Sequence, residues 1–232
     1  MKIVIIHGQN HLGSTYKIAH SLGEKIGGDV TEFFLPRDFN EFCVGCMTCF
    51  QKGEENCPHR LKLQPIIEAI DEADVIILSS PVYVFHVTGA MKAFLDHLGY
   101  RWMAHRPDEK MFKKQGIAIT TAAGAGVKST LKDMTDSLFY LGTGKVYKYG
   151  LALRAYSFDD LKDKKKRKIE KKTDKLAKKI KKKNGKVKPG FKTKAFFSIM
   201  RMIEKNNGTT EKDAIYWKSN GWLEKKRPWK NK

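Results

Sequence analysis

The first sixteen residues, MKIVIIHGQNHLGSTY, constrain the fold more than any other stretch. Ile3 to Ile6 form an unbroken apolar run, the pattern of a short strand buried on both faces of a parallel sheet. At Gly8 the run stops and a polar loop begins. Ser14 and Thr15 then open a segment with helical spacing: Ile18, Ala19, Leu22 and Ile26. A strand that feeds a glycine-containing loop into a helix N-terminus makes an anion site. The unpaired N–H groups of the first turn and the positive end of the helix dipole face whatever sits in the loop. The loop has neither GxGxxG nor the lysine-bearing GxxxxGK[ST], so it has little to grip a triphosphate. Gln9, Asn10, Ser14 and Thr15 supply neutral donors instead, which suit a dianionic monoester phosphate, and His11 adds one more. The competing reading is an ordinary strand-to-helix turn with Ser14 as N-cap.

Strands and helices alternate along the rest of the chain. Strands are expected over Val30–Leu35, Val75–Leu78, Ile117–Thr121 and Val146–Leu153. Helices are expected near Leu63–Ala73, Gly89–Leu98, Ser129–Leu141 and Leu161–Lys183. Strands separated by helices imply right-handed crossovers and a parallel sheet. Five such strands behind a phosphate loop suit a flavodoxin-like three-layer α/β sandwich of order 2-1-3-4-5, with the ligand at the carboxyl ends of the strands beside strand 1. The loops after strands 3 and 4 should then bear ligand-binding character. The first, Pro81-Val82-Tyr83-Val84-Phe85, offers a proline-stiffened turn and aromatic surface. The second, Thr121-Ala122-Ala123-Gly124, offers small residues against which a flat ring can lie. Together they meet the needs of an isoalloxazine: a slot for the ring and N–H donors at its edge. The competing reading makes them plain loops with Tyr83 in the core.

The three motifs HGQNHLGST, SSPVYVFHVTGAMKAFLDH and TTAAGAG resemble the NADPH-dependent FMN reductase family of the flavodoxin-like superfamily. The resemblance covers about residues 1–150. Gln9-Asn10 stand where that family commonly has Ser-Pro, in a loop one residue shorter, and His97 stands where arginine is usual. The resemblance implies that Gln9, Asn10, His11, Gly13, Ser14 and Thr15 hold an FMN phosphate. It places Pro81, Val82, Tyr83, Val84 and Phe85, with Thr121, Ala122, Ala123 and Gly124, along the ring. It implies an oxidoreductase passing reducing equivalents from NAD(P)H through FMN to a quinone, flavin or iron–sulfur acceptor. The flavin N5 does the chemistry in such an enzyme, so no catalytic side chain is expected. A flavodoxin-like electron carrier or redox sensor without NAD(P)H turnover is the alternative. No Ser/His/Asp set or carboxylate pair suggests hydrolysis.

Cys43, Cys46, Cys49 and Cys57, the only cysteines, form C-x2-C-x2-C-x7-C. Four thiolates within 15 residues can close around one metal centre. The arrangement resembles the iron–sulfur flavoproteins, which implies a [4Fe–4S] cluster exchanging single electrons with FMN, although the last gap here is wider. Free or redox-active thiols and a zinc site remain open beside it. His11, His59, His86, His97 and His105 each read as surface or satisfied core residues, beside any donor role of His11. Trp102 reads as packing rather than as a cap on a neighbouring subunit's flavin, and Asp96 as capping or paired rather than catalytic.

The formal net charge of +20 is confined to one end. Residues 1–161 hold 18 Lys/Arg and 18 Asp/Glu, whereas residues 162–232 hold 27 and 7. In the Leu161–Lys183 helix a narrow stripe, Leu161, Ile169, Leu176, Ala177 and Ile180, faces inward with lysines around it. Lys188-Pro189-Gly190 marks a break. These features divide the chain into an FMN-binding domain, 1–183, and a basic, aromatic-containing extension, 184–232. The apolar run Ala195–Ile203 is expected to pack on the core or on a second subunit of a homodimer or higher homo-oligomer. The basic face could meet an acidic redox protein or an anionic surface. No run approaches the roughly 18 apolar residues of a membrane helix and no signal peptide is visible, so a cytoplasmic location is expected.

Overall fold

A computed structural model describes residues 1–206 and 208–230. Five strands form one parallel sheet of order β2-β1-β3-β4-β5: β1 Lys2–His7, β2 Asp29–Phe34, β3 Val75–Ser79, β4 Gln115–Ala122 and β5 Lys145–Ala152. In register, Ile5 of β1 lies between Glu32 of β2 and Ile77 of β3, and Ile77 pairs with Ile117 of β4. This is the flavodoxin-like order expected from the sequence. The three central strands are buried except for Lys2, because helices cover both faces.

Alternation along each strand sorts the core into two layers. Ile3, Ile5, Val75, Ile77, Ile117 and Ile119 face α1 (Ser14–Ile26) and α6 (Asp163–Lys183). Val4, Ile6, Ile76, Leu78 and Ala118 face the opposite layer, built by α3 (Arg60–Glu72), α4 (Gly89–Asp96) and α5 (Val127–Tyr140). Element ends differ from the sequence expectation by at most three residues. The largest shift is at α3, where the Leu63 N–H bonds the His59 carbonyl and carries the helix back to Arg60.

The long basic helix buries Ile169, Thr173, Ala177 and Ile180 and turns its lysines outward. A third apolar cluster lies apart from the sheet. It joins Met103 and Phe112 to Phe197 of α7 (Phe191–Lys205), Trp217 of α8 (Glu211–Ser219) and Trp222. Phe196, Phe197 and Met200 of the apolar run after the break pack on the same chain, whereas Ile199, Met202 and Ile203 are exposed. α8 carries no strong sequence signal and was not expected.

Candidate functional site

The carboxyl ends of β1, β3 and β4 open into one cleft of about 440 Å³. Its first wall is the β1–α1 loop, which contributes Gln9, His11, Gly13, Ser14 and Thr15. Gly13, not Ser14, is the N-cap of α1, and no side chain caps this helix. No acidic residue occupies its first turn. The first-turn N–H groups thus keep their capacity for an external acceptor, at the positive end of a 13-residue helix. Asn10 lies outside the lining, with its N–H turned to the Gln9 side-chain oxygen at 2.8 Å.

The second wall is Pro81, Val82 and Tyr83, and the third is Thr121, Ala122 and Ala123. The three walls are tied to one another. The Thr15 and Thr121 hydroxyls share a buried 2.6 Å hydrogen bond. The Gln9 amide donates to the Tyr83 phenol at 2.8 Å, and the Val82 N–H to the Thr121 carbonyl at 2.9 Å. Gly8 allows this approach: a Cβ there would lie 2.8 Å from the Thr88 hydroxyl. Val84 and Phe85 form the tip of a tight turn closed by reciprocal Tyr83–His86 backbone bonds. Both tip residues have positive φ and are exposed, and with Gly124 they lie outside the cleft lining.

Two contributions escaped sequence reasoning. The segment after β5, including Leu153, Tyr156, Phe158 and Asp159, forms a fourth wall. A 2.7 Å ion pair between Asp159 and Lys17 fixes it to α1. Nothing in its composition marks it as ligand-binding. The other is His7, the last residue of β1, which a strand pattern hides. His7 lines the cleft, is 2% exposed, and its buried Nδ1 has no partner. Burial pushes its imidazole below the ordinary value, against the opposing pull of Glu32. Glu32 lies 3.5 Å from His7 Nε2 and 3.0 Å from His20 Nδ1.

The arrangement fits FMN. An uncapped helix terminus free of acids suits a phosphate, and small residues opposite a proline-stiffened aromatic loop suit a flat ring.

A second cavity, about 250 Å³, is lined by all four cysteines. Cys43 and Cys46 are exposed, Cys49 and Cys57 half-buried, and none is in a disulfide. Hydrogen bonds from Thr48 pull the Cys46 thiol below its usual range. Burial, then the neighbouring thiols, push Cys49 up. Among the described residues, no group of three or more His, Cys, Asp or Glu is closed tightly enough to hold a metal ion as it stands. The donor set and the shared cavity are those a thiolate-bound metal needs. The remaining histidines have partners: His59 with His97 at 2.8 Å, His86 with Asp133 and His105 with Asp213, both at 2.9 Å. Trp102 stacks on Tyr140, and Asp96 pairs with Lys92.

With this geometry in place, relatives can be compared. An iron–sulfur flavoprotein of Archaeoglobus fulgidus is 38% identical over 104 residues, 44% of each chain. An iron–sulfur flavoprotein of Methanocaldococcus jannaschii is 31% identical over 99 residues, 41% of this chain and 50% of the relative. The chain thus spans about half the length of the curated relatives it matches. Among solved structures, an azoreductase of Bacillus anthracis superposes with a TM-score of 0.61 at 14% identity, covering 78% of this chain and 99% of that one. A NAD(P)H:quinone oxidoreductase of Methanothermobacter marburgensis gives 0.58 at 13% identity, covering 75% and 94%. At such identities these two show the shared fold alone. Residues 1–157 match the family described as NADPH-dependent FMN reductase, so the chain belongs to that family.

Proposed function

We propose that this protein is an FMN-dependent oxidoreductase that passes reducing equivalents from NAD(P)H to a quinone, flavin or iron–sulfur acceptor. The observation that carries this reading is the uncapped, acid-free N-terminus of α1 opening into a cleft whose other walls are Pro81–Tyr83 and Thr121–Ala123. FMN held there would supply the hydride-accepting and electron-releasing chemistry between a nicotinamide and an acceptor.

The chain's own residues bind and orient. Gln9, His11, Gly13, Ser14 and Thr15 hold the phosphate through hydroxyl, amide and backbone donors, with Asn10 buttressing Gln9. Thr121, Ala122 and Ala123 present small side chains and backbone N–H groups to the ring edge, with Gly124 just beyond the lining. Pro81, Val82 and Tyr83 limit its other side, with Val84 and Phe85 at the tip next to solvent. Stacking two rings in register converts a bimolecular transfer into a local one, so positioning supplies most of the acceleration.

Cys43, Cys46, Cys49 and Cys57 are the residues that would hold a [4Fe–4S] cluster. The compact spacing, the common cavity and the named relatives support this part of the reading. Residues 1–183 form the flavin domain in this reading, which works as a cytoplasmic homodimer or higher homo-oligomer. The 184–232 extension packs against the flavin domain. A groove between β5 and α6, where Lys148, Arg154 and five lysines of residues 162–172 converge, suits an acidic redox partner. Among the described residues no helix is long and apolar enough to cross a membrane.

Steady NAD(P)H oxidation by purified, FMN-loaded protein with a quinone or free flavin as acceptor tests the enzyme reading. Sustained turnover is expected. A single stoichiometric reduction without turnover for any acceptor identifies a carrier instead.

A further inference from the structure

Beside its aromatic cluster, the C-terminal extension contributes one buried carboxylate to the surroundings of the cysteine loop. Asp213 of α8 is fully buried, and its two oxygens hold two consecutive residues. Oδ2 accepts from His105 Nδ1 at 2.9 Å, and Oδ1 accepts from Arg106. These two residues in turn grip α2 (Thr48–Gln51), the single turn that carries Cys49. The His105 ring packs edge-on against Phe50, with centroids 4.6 Å apart. The other arm of the Arg106 guanidinium donates to the Cys49 carbonyl and, at 3.3 Å, to Glu54. Lys212, beside Asp213, pairs with Glu55 on the surface. The aspartate cannot drift, because the Thr210 hydroxyl caps its N–H at 3.1 Å and Trp217 Nε1 donates to the His105 carbonyl at 2.6 Å.

We propose that the C-terminal segment is a brace for the cysteine loop, with Asp213 as the positioning residue that holds Arg106 and His105 against Cys49. Residues 40–47 have no regular secondary structure and α2 is one turn long, too short to persist on its own. Its conformation must come from tertiary contacts, and the strongest come from a buried guanidinium. Arg106 is 9% exposed, so removing its buried carboxylate leaves a buried charge with only the half-exposed Glu54 as partner, and its relief lies in moving the loop it holds. The brace itself stands on these contacts. Its consequence, a preset spacing of four thiols for metal uptake, rests on the metal reading above.

The test uses the full-length, metal-free protein with 5,5′-dithiobis(2-nitrobenzoate) as thiol probe, mapping labelled peptides, alongside amide hydrogen exchange. The variants are Asp213→Asn and Arg106→Lys, with Lys212→Ala as surface control. In both brace variants, Cys49 labelling and exchange across residues 48–57 should rise about tenfold. Exchange in β1 and β3, FMN affinity and the Lys212→Ala protein should stay within about twofold of wild type. Iron uptake on anaerobic incubation with ferrous iron and sulfide should fall in the same two variants. Labelling and exchange unchanged in both overturn the brace, as does loosening spread equally through the sheet. If Asp213→Asn does not fold, Arg106→Lys decides, because it keeps the buried charge and loses the second arm. A wild-type protein that takes up no iron contradicts the metal reading alone, and the labelling comparison still decides the brace.

Discussion

His7 shows how one residue can be hidden in the sequence and prominent in the structure. In the sequence it ends an apolar strand; in the fold it closes the floor of the cleft with an unpartnered Nδ1. Burial pushes its imidazole below its ordinary value, and burial does the same to His97. A group that binds its proton less readily folded than unfolded leaves the unfolded chain with more protons. Stability is therefore full above about 6.5 and is lost as pH falls below it, by at most about 1.4 kcal/mol per pH unit for each group. Chemical denaturation of the apoprotein between pH 7.5 and 5, above the carboxylate range, should show this decline, and His7→Asn should flatten it. An unchanged slope in the variant would remove His7 as a source. Val84 shows the converse, an unremarkable residue held at φ +47° on an exposed turn tip. A β-branched side chain in that region costs about 1 kcal/mol or more, which the surrounding contacts must offset.

At the scale of elements, the start of α5 sets the position of the ring loop. Gly126 has φ +87°, and a Cβ there would sit 2.5 Å from Val82 Cγ1 and 2.9 Å from Phe85 Cα. The Ser129 and Thr130 hydroxyls reach from the first turn of α5 to the Phe85 carbonyl. Gly126→Ala should push the Tyr83–His86 turn away from the β4 loop. FMN affinity should fall about tenfold with the sheet intact, read by flavin fluorescence titration and circular dichroism. Unchanged affinity would mean that the turn does not bound the ring. The strand order and the convergence of three loops on one cleft were legible in the sequence, because buried parallel strands read as bare apolar runs between glycine and proline punctuation. The fourth wall was not legible: its segment is placed by contacts across the fold, among them the Lys17–Asp159 pair and the packing of Phe158 on the core. The single-turn α2 and the nine-residue α8 are held by distant partners rather than by their own periodicity, and neither is legible for the same reason. Gly13 displaced Ser14 as N-cap, which sequence preference alone would have reversed.

Across the whole molecule, a charge-neutral flavodoxin-like body carries a strongly basic second part, and the two are joined by specific contacts. α6 completes one face of the sheet while its lysines surround an apolar stripe. α7 and α8 add a separate aromatic cluster beside the cysteine loop. The thiol cavity lies along α3 and the end of α4 on one face of the sheet, whereas the loops that line the cleft lie beyond the carboxyl ends of β1, β3 and β4, where a parallel sheet leaves its loops free to diverge. The account depends on that end of the sheet seating FMN by its phosphate. Titrating metal-free apoprotein with FMN and, separately, with riboflavin measures this most directly. One FMN per chain should bind with quenched flavin fluorescence, and riboflavin, lacking the phosphate, should bind at least about a hundredfold more weakly. Equal affinity for the two, or no binding of either, would contradict the assignment.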